Sequence, residues 1–202
     1  LGVDTAIFKG KPVIQNSASI KQLLFVGRIS RLKQIEIAID TLVVLKNNNV
    51  ACILNIVGPD SDLEYYNELK EMIVQLGLID YVNFIDSVKQ EQLVSFYQNA
   101  DVLLLPSKHE SFGMVITEAM ACGTPVISLV GSGGPEEIIV NEFDGFVVSN
   151  ENYSITVLKL LSDQSLLTEM SKNALVSVEK KWSQNITAEI LLSLINEKVF
   201  NE

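Results

Sequence analysis

Two glutamates, Glu110 and Glu118, are separated by seven residues in a segment of unusual composition. The segment PSKHESFGMVITEAMACGTP, residues 106–125, combines the two acids with prolines and glycines. The pattern places Glu110 in a loop just before a helix and Glu118 one to two turns inside that helix. Ionised carboxylates are strong acceptors for hydroxyl groups. The spacing therefore predicts two carboxylates along the rim of one cavity, suited to a ribose diol or a hexose.

The stretch between the two acids predicts an anion site. Ser111, Phe112, Gly113 and Met114 lead from the loop into the helix. The first amides of a helix have no internal acceptors, and the helix dipole adds partial positive charge there. A diphosphate is a natural occupant of such a position. The absence of a side chain at Gly113 allows close approach.

The elements that must position these residues alternate between strand and helix patterns. This alternation predicts an α/β fold, a Rossmann-like doubly wound parallel sheet of about six strands with helices on both faces. The predicted strands are Lys21–Gly27, Cys52–Val57, Val82–Ile85, Val102–Leu105, Pro125–Leu129 and Gly145–Val148. Such sheets bind ligands at the carboxyl ends of their strands. We therefore expect the loops after these strands to line one edge.

Helical periodicity fills the intervals between the strands. The predicted helices are Lys33–Lys46, Asp62–Leu76, Gln90–Asn99, Gly113–Ala121 and Pro135–Val140. From Glu151 onward the pattern is helical, with breaks near residues 162–164 and 181–183.

Composition excludes several classes of protein. The chain has 202 residues, of which 48% are hydrophobic and 20% charged, which suits a packed globular domain. The net charge of −10 disfavours nucleic-acid binding. No apolar run approaches the ~20 residues that a transmembrane helix needs. Cys52 and Cys122 lack metal-ligand spacing, and we interpret them as buried free thiols in a reducing, cytoplasmic setting.

Three further motifs are interpreted without a chemical role. Asp60-Ser61-Asp62 resembles an acidic metal motif but suits a helix cap, so no metal site is expected. The loop GSGGPE at residues 131–136 has Glu136 where a dinucleotide fingerprint needs a third glycine. His109, the single histidine, is interpreted as a surface residue.

The segment with the two glutamates resembles the signature of the group 1 retaining glycosyltransferases of GT-B fold, in which two glutamates are separated by seven residues. Further stretches similar to this family are LGVDTAIF (1–8), FVGRISRLK (25–33), NIVGPD (55–60), NADVLLLP (99–106), GGPEEI (133–138) and DGFVV (144–148). The resemblance implies the C-terminal, nucleotide-sugar-binding domain. It divides the chain into an interdomain linker and entry segment at 1–20, a donor-binding domain at 21–182 and a C-terminal helix at 183–202.

The resemblance also implies a role for each site residue. The catalytic candidates are Arg28, Lys33 and Glu110: the two cations would neutralise the departing diphosphate, and the acid would touch the donor hexose. Preorganised cations are physically suited to charge that grows on a leaving phosphate. The donor-binding candidates are Gly27, Ser111, Phe112, Gly113, Met114 and Glu118, with Glu118 gripping the ribose. The stretch Phe84–Ser87 would flank the base.

The function that the resemblance implies is transfer of a hexose, with retention of configuration, from a UDP-sugar or GDP-sugar. The acceptor would be a glycan or lipid-linked molecule of surface polysaccharide biosynthesis, bound by a preceding N-terminal domain. No cofactor is implied. The setting would be cytoplasmic. Peripheral attachment to the inner membrane face, through the other domain, is an open alternative. We expect the domain to fold alone and to be inactive alone. The alternative is a non-catalytic half-domain that binds nucleotide sugar or docks a partner.

Overall fold

A computed structural model describes residues 1–10 and 20–199 of the chain. Within these residues one parallel sheet contains six strands: β1 Lys21–Val26, β2 Cys52–Val57, β3 Val82–Ile85, β4 Val102–Leu105, β5 Val126–Leu129 and β6 Gly145–Val148. The strand order is β3-β2-β1-β4-β5-β6. This is the Rossmann order, in which the direction of winding reverses between β1 and β4. The predicted doubly wound sheet is therefore confirmed.

The five helices predicted between the strands fall within two residues of their predicted bounds. The helices of the structure are α1 Ile35–Asn47, α2 Leu63–Gln75, α3 Gln90–Asn99, α4 Met114–Ala121, α5 Gly134–Ile138, α6 Asn150–Ser162, α7 Gln164–Ser177 and α8 Gln184–Val199. A single turn of π-helix at Val178–Trp182, which the sequence pattern does not predict, leads toward α8. No helix in the described part of the chain is long and apolar enough to cross a membrane.

The two faces of the sheet bury separate cores. On one face Leu23 and Phe25 of β1 pack with α1, α2 and α6. On the other face Leu24 and Val26 pack with α3, α4, α5 and the end of α7. Strand β4 is buried along its whole length, which explains its unbroken VLLL sequence. Each fully buried leucine contributes roughly 1.5–3 kcal/mol, so these two cores fix the strand ends that carry the site.

The entry segment packs on the second face and meets the last helix of the chain. The amide of Val3 donates to the carbonyl of Trp182 at 2.7 Å, and the amide of Gln184 donates to the carbonyl of Val3 at 2.9 Å. Phe8 is buried, with its ring centroid 6.0 Å from that of Tyr97. The predicted linker at 1–20 includes residues 11–19, and the predicted last helix includes residues 200–202; both stretches lie outside the described residues. The division into three parts stays a prediction.

One predicted helix start is wrong, and the error concerns a site residue. Helix α1 begins at Ile35 rather than at Lys33, because Arg31–Lys33 form a turn of 3-10 helix and Gln34 is left-handed, with φ 48° and ψ 46°. A left-handed non-glycine residue costs roughly 1–2 kcal/mol. The hydroxyl of Tyr65 compensates by accepting the first amide of α1, from Ile35, at 2.7 Å. Lys33 therefore lies in a turn at the edge of the sheet instead of on a helix.

Both cysteines are buried free thiols, as the sequence predicts. Burial raises the pKa of Cys52 to about 11 and that of Cys122 to about 12. Because the thiolate is the reactive form, both thiols are chemically inert at neutral pH.

Candidate functional site

The loops after β1, β2 and β3 are joined to one another at the carboxyl edge of the sheet. The amide of Gly27 donates to the carbonyl of Val57 at 3.0 Å, and the amide of Gly58 donates to that of Ile85 at 2.9 Å. A Cβ atom at Gly58 would lie 2.1 Å from the carbonyl oxygen of Gly27, so only glycine fits there. The amide of Ile29 also donates to a backbone carbonyl in the loop after β2. The basic loop that carries Arg28 and Lys33 is therefore held at the predicted ligand edge.

Lys33 and Glu110 form an ion pair at this edge. The Nζ atom of Lys33 lies 2.5 Å from Oε1 of Glu110, and the two side chains are 17% and 11% exposed. The hydroxyl of Ser107, which is fully buried, donates to the same oxygen at 2.8 Å. One carboxylate oxygen of Glu110 thus receives two donors. A cation and a carboxylate that are 77 residues apart in the chain meet at one point of the sheet edge.

The loop that carries Glu110 is fixed by its neighbours. The amide of Glu110 donates to the carbonyl of Ser132 at 2.7 Å, and the amide of Gly134 donates to the carbonyl of Glu110 at 2.8 Å. The amide of Lys108 donates to the carbonyl of Leu32 at 2.9 Å. A Cβ atom at Gly134 would lie 2.3 Å from the backbone oxygen of Phe112. The glycine-rich loop after β5 is therefore the support for the Glu110 loop.

Helix α4 begins beside this loop, with Gly113 as its N-cap residue. Gly113 has φ 87° and ψ 60°, a left-handed conformation that favours glycine. Its ideal Cβ atom would also lie 2.7 Å from Cδ1 of Ile116. The sequence predicts that this glycine allows close approach of a ligand, and its left-handed backbone is a second reason for glycine at this position. Ser111 and Met114 are exposed beside the first amides of the helix, where an anion is favoured.

Phe112 connects the start of α4 with the end of the π turn. Its ring is half-buried and lies edge-on to that of Trp182, with 5.6 Å between centroids and an interplanar angle of 67°. Trp182 also accepts the amide of Val3 at its carbonyl. The predicted phosphate cradle, through Phe112, therefore contacts the π turn, which is hydrogen-bonded to the entry segment and precedes α8.

Glu118 lies in α4 and finds its partner on α3. The hydroxyl of the fully buried Tyr97 donates to Oε2 of Glu118 at 2.9 Å. Burial raises the pKa of Glu118, and the hydrogen bond from Tyr97 partly opposes that rise. Glu118 is thus held by a neutral donor from the core, whereas Glu110 is held by a cation from the basic loop.

The two arginines of the basic loop have different surroundings. Arg31 donates through both terminal nitrogens to Glu68 at 2.7 Å, with Asp62 and Glu64 each 3.8 Å away. The hydrogen bond with Glu68 raises the pKa of Arg31. Arg28 is exposed, and in residues 1–10 and 20–199 it has no ion pair. Arg28 is therefore the arginine available for an external anion.

The remaining predicted positions have mixed outcomes. Asp62 caps α2, its Oδ1 atom accepting the amide of Tyr65 at 3.0 Å, as the helix-cap interpretation requires. Among the described residues no three His, Cys, Asp or Glu side chains are grouped to hold a metal ion. His109 is exposed. Phe84 packs edge-on against Tyr66 at 4.9 Å, and its predicted contact with a base stays a prediction.

Sequence reasoning missed Ser107, Tyr97 and Trp182. Ser107 had a weak signal, because it lies between the end of a buried strand and the first acid. Tyr97 fits the apolar face of an amphipathic helix, which marks it as a core residue without indicating its acceptor. Trp182 had no signal, since its contact with Phe112 spans 70 positions and depends on the path of α7.

Comparison with known proteins gives concordant results. A family model described as glycosyl transferases group 1 matches residues 11–176. An uncharacterized glycosyltransferase of Methanocaldococcus jannaschii is 35% identical over 174 residues, which cover 84% of this chain and 43% of that protein. The curated relatives that it matches are longer, and this chain spans 34% to 49% of their length.

Solved structures share the fold. The C-terminal domain of a glycosyl transferase group 1 family protein, LpcC, from Francisella tularensis superposes with a TM-score of 0.80 and 26% identity, covering 91% of this chain and all of that one. Anabaena HepE, solved in complex with UDP and glucose, superposes with a TM-score of 0.84 over 96% of this chain and 55% of its own. Its identity of 23% makes this a likeness of fold alone.

Proposed function

The chain belongs to the group 1 glycosyltransferase family, and from that premise we propose that it is the C-terminal, nucleotide-sugar-binding domain of a retaining hexosyltransferase of GT-B fold. One observation carries the proposal. Lys33 and Glu110, far apart in sequence, lie 2.5 Å apart at the carboxyl edge of the sheet, in the loops next to the start of α4. A cation, a carboxylate and free helix amides together suit a ligand with both a phosphate and hydroxyl groups.

In the proposed donor complex the basic loop binds the diphosphate. An ammonium group has three donors, so Lys33 can keep its contact with Glu110 and also donate to a phosphate oxygen. Arg28, exposed in the same loop, supplies the second cation. Charge on the diphosphate grows as the glycosidic bond breaks, and cations already in place stabilise it without reorganisation. Arg28 and Lys33 thereby lower the barrier to departure.

The two glutamates bind the sugars at either end of the diphosphate. Glu110 binds a hydroxyl of the transferred hexose through the oxygen that Lys33 and Ser107 leave available. Glu118 binds the ribose, and Gly27 with the backbone of Ser111, Phe112, Gly113 and Met114 forms the cradle between them. The donor is a UDP-sugar or a GDP-sugar, and no cofactor takes part. The presence of UDP in the Anabaena relative of this fold supports a nucleotide donor.

The acceptor would be bound by a part of the longer protein that this chain does not include. We propose a glycan or lipid-linked acceptor of surface polysaccharide biosynthesis, bound by an N-terminal domain. Catalysis requires both reactants in reacting geometry. The domain alone therefore binds donor without transferring its sugar at an ordinary rate.

Calorimetric titration of this chain with UDP, GDP and ADP tests the proposal. We expect one nucleotide to bind, and Arg28→Ala to weaken it about tenfold through loss of a charged hydrogen bond. Arg31→Ala is the matched control, because its guanidinium is already paired with Glu68. Equal weakening by both changes would indicate a general charge effect and remove the assigned role of Arg28. If the longer protein binds the nucleotide sugar but does not transfer its sugar, the non-catalytic alternative is favoured.

A further inference from the structure

Tyr97 occupies an unusual position for a core tyrosine. Its side chain is fully buried at the end of α3, yet its hydroxyl donates to a side chain of the site, Oε2 of Glu118, at 2.9 Å. A buried hydroxyl must find a partner, and a backbone carbonyl would satisfy it equally well. The use of a carboxylate on the next helix calls for an explanation beyond packing.

Tyr153 shows what an ordinary buried tyrosine does in the same molecule. It is also fully buried, and its hydroxyl donates to the backbone carbonyl of Ile127 at 2.9 Å. That contact joins α6 to β5 inside the first core and reaches no site residue. The two tyrosines have the same burial and the same bond length, and they differ in the acceptor.

The bond from Tyr97 engages one carboxylate oxygen of Glu118 and not the other. In the described part of the chain no second side chain donates to this carboxylate. A ribose presents two adjacent hydroxyl groups, and a carboxylate with one oxygen fixed directs the other along a defined line. Because one oxygen is fixed, the carboxylate does not rotate about its last side-chain bond. This rotational freedom therefore does not have to be lost when the ligand binds.

Tyr97 is itself immobilised from several sides. Phe8 of the entry segment lies edge-on to its ring at 6.0 Å, and the hydroxyl of Thr124 donates to its carbonyl at 2.5 Å. The next residue, Gln98, donates through its side chain to the carbonyl of Lys9 at 2.8 Å. The hydroxyl of Tyr97 is therefore held in a fixed position, as is required of a donor that orients another side chain.

We infer that Tyr97 is a positioning residue of the donor site, whose hydroxyl holds Oε2 of Glu118 so that Oε1 faces the ribose of the nucleotide. The inference rests on the proposed function, because Glu118 has a ligand to orient only in a nucleotide site. Tyr97 acts through Glu118 and touches no ligand itself.

The first experiment compares the affinity of Tyr97→Phe, Tyr153→Phe and the wild type for UDP and GDP by calorimetry. Each variant removes one hydroxyl from a fully buried ring. We expect Tyr97→Phe to weaken the nucleotide that binds by about five- to tenfold, and Tyr153→Phe to leave it within about twofold. Equal affinity in Tyr97→Phe and wild type overturns the inference and leaves the proposed function intact. Failure of the wild type to bind either nucleotide overturns both.

A double-mutant cycle with Glu118→Ala separates positioning from general loosening of the core. Without a carboxylate to orient, the further change Tyr97→Phe is expected to alter nucleotide affinity by less than about twofold. Full additivity of the two changes overturns the inference, since Tyr97 would then act independently of Glu118.

The third experiment needs no ligand and follows the carboxyl carbon of Glu118 by NMR as pH is raised. Burial raises the pKa of Glu118 and Tyr97 lowers it; the other titratable group facing it is Cys122, and burial keeps both of these neighbours neutral near pH 7. Loss of a hydrogen bond to the charged form is expected to raise the pKa of Glu118 further in Tyr97→Phe and to leave it unchanged in Tyr153→Phe. An unchanged pKa in Tyr97→Phe overturns the inference.

Discussion

The surroundings of Glu110 and Glu118 differ, although only seven residues separate these two glutamates. Glu110 lies in a loop, where Lys33 and Ser107 donate to one of its oxygens. Glu118 lies in a helix, where a neutral tyrosine from the core donates to it. The cation beside Glu110 is one that a bound diphosphate would share. In the proposed donor complex the Glu110 side of the site would therefore be coupled to the ligand, whereas the contact of Glu118 with Tyr97 is already set by the core.

The supports of the two sides differ in the same way. The Glu110 loop depends on backbone bonds to another loop, through Ser132 and Gly134. Glu118 depends on the packing of α3 against α4 in the second core. Loops joined edge to edge tolerate little added volume, and a packed helix pair distributes a change over many contacts. Three predictions test this comparison, from the largest expected effect to the smallest.

The largest effect is expected on the loop side, from Gly134→Ala. Its new methyl group would lie 2.3 Å from the backbone oxygen of Phe112, so the two loops must separate. We expect the free energy of unfolding to fall by about 3 kcal/mol. Gly131→Ala, in the same loop, meets nothing within 4 Å and has only its φ of +81° against it, at about 1 kcal/mol. Denaturant unfolding measures both, and equal losses would refute the loop-support account.

Amide substitutions of the two acids should separate their roles in nucleotide binding. Glu118→Gln replaces the charged acceptor that we propose for the ribose, and we expect nucleotide affinity to fall about tenfold. Glu110→Gln removes a negative charge beside Lys33 and leaves the ribose contact alone. We expect it to leave nucleotide affinity unchanged or to increase it. Calorimetry with the nucleotide that the wild type binds decides the matter, and comparable weakening by both variants would contradict the comparison.

The smallest effect is expected from Ser107→Ala. The change removes one of two donors to Oε1 of Glu110, while Lys33 remains. We expect the nucleotide alone to bind as before, and the nucleotide sugar to lose about fivefold of its affinity, because only the hexose contact is disturbed. Ser128→Ala is the control, since Ser128 is equally buried and donates to the carbonyl of Leu105 at 3.0 Å. A loss shared equally by nucleotide and nucleotide sugar would exclude this role for Ser107.

The fold could be predicted because its signals are local. Buried parallel strands are continuous apolar runs, and glycine or proline follows several of them, as at Gly27 and Pro106. The edge at which the loops meet follows from parallel topology alone. The loops after β1 and β4 are both predicted to lie at this edge. The sequence therefore predicts that the basic loop and the Glu110 loop lie close together.

The remaining features depend on contacts between distant residues. Lys33 leaves the predicted helix because Tyr65, from α2, binds the amide of Ile35 and stabilises the left-handed Gln34. Tyr97 meets Glu118 only after α3 and α4 have packed. No local sequence pattern indicates that the hydroxyl of Tyr65 accepts the amide of Ile35, or that Glu118 accepts the hydroxyl of Tyr97. The sequence thus identifies which side chains are chemically suited to a site, and the packing decides which oxygen of each carboxylate remains available.

The most direct test of the donor-site account is calorimetric titration of the wild-type chain with a nucleoside diphosphate and the matching monophosphate. Arg28, Lys33 and the first amides of α4 are all assigned to the diphosphate. We therefore predict that the diphosphate binds at least about tenfold more tightly, a difference of roughly 1.4 kcal/mol. Equal affinity for the two nucleotides, or binding of neither, would contradict the account.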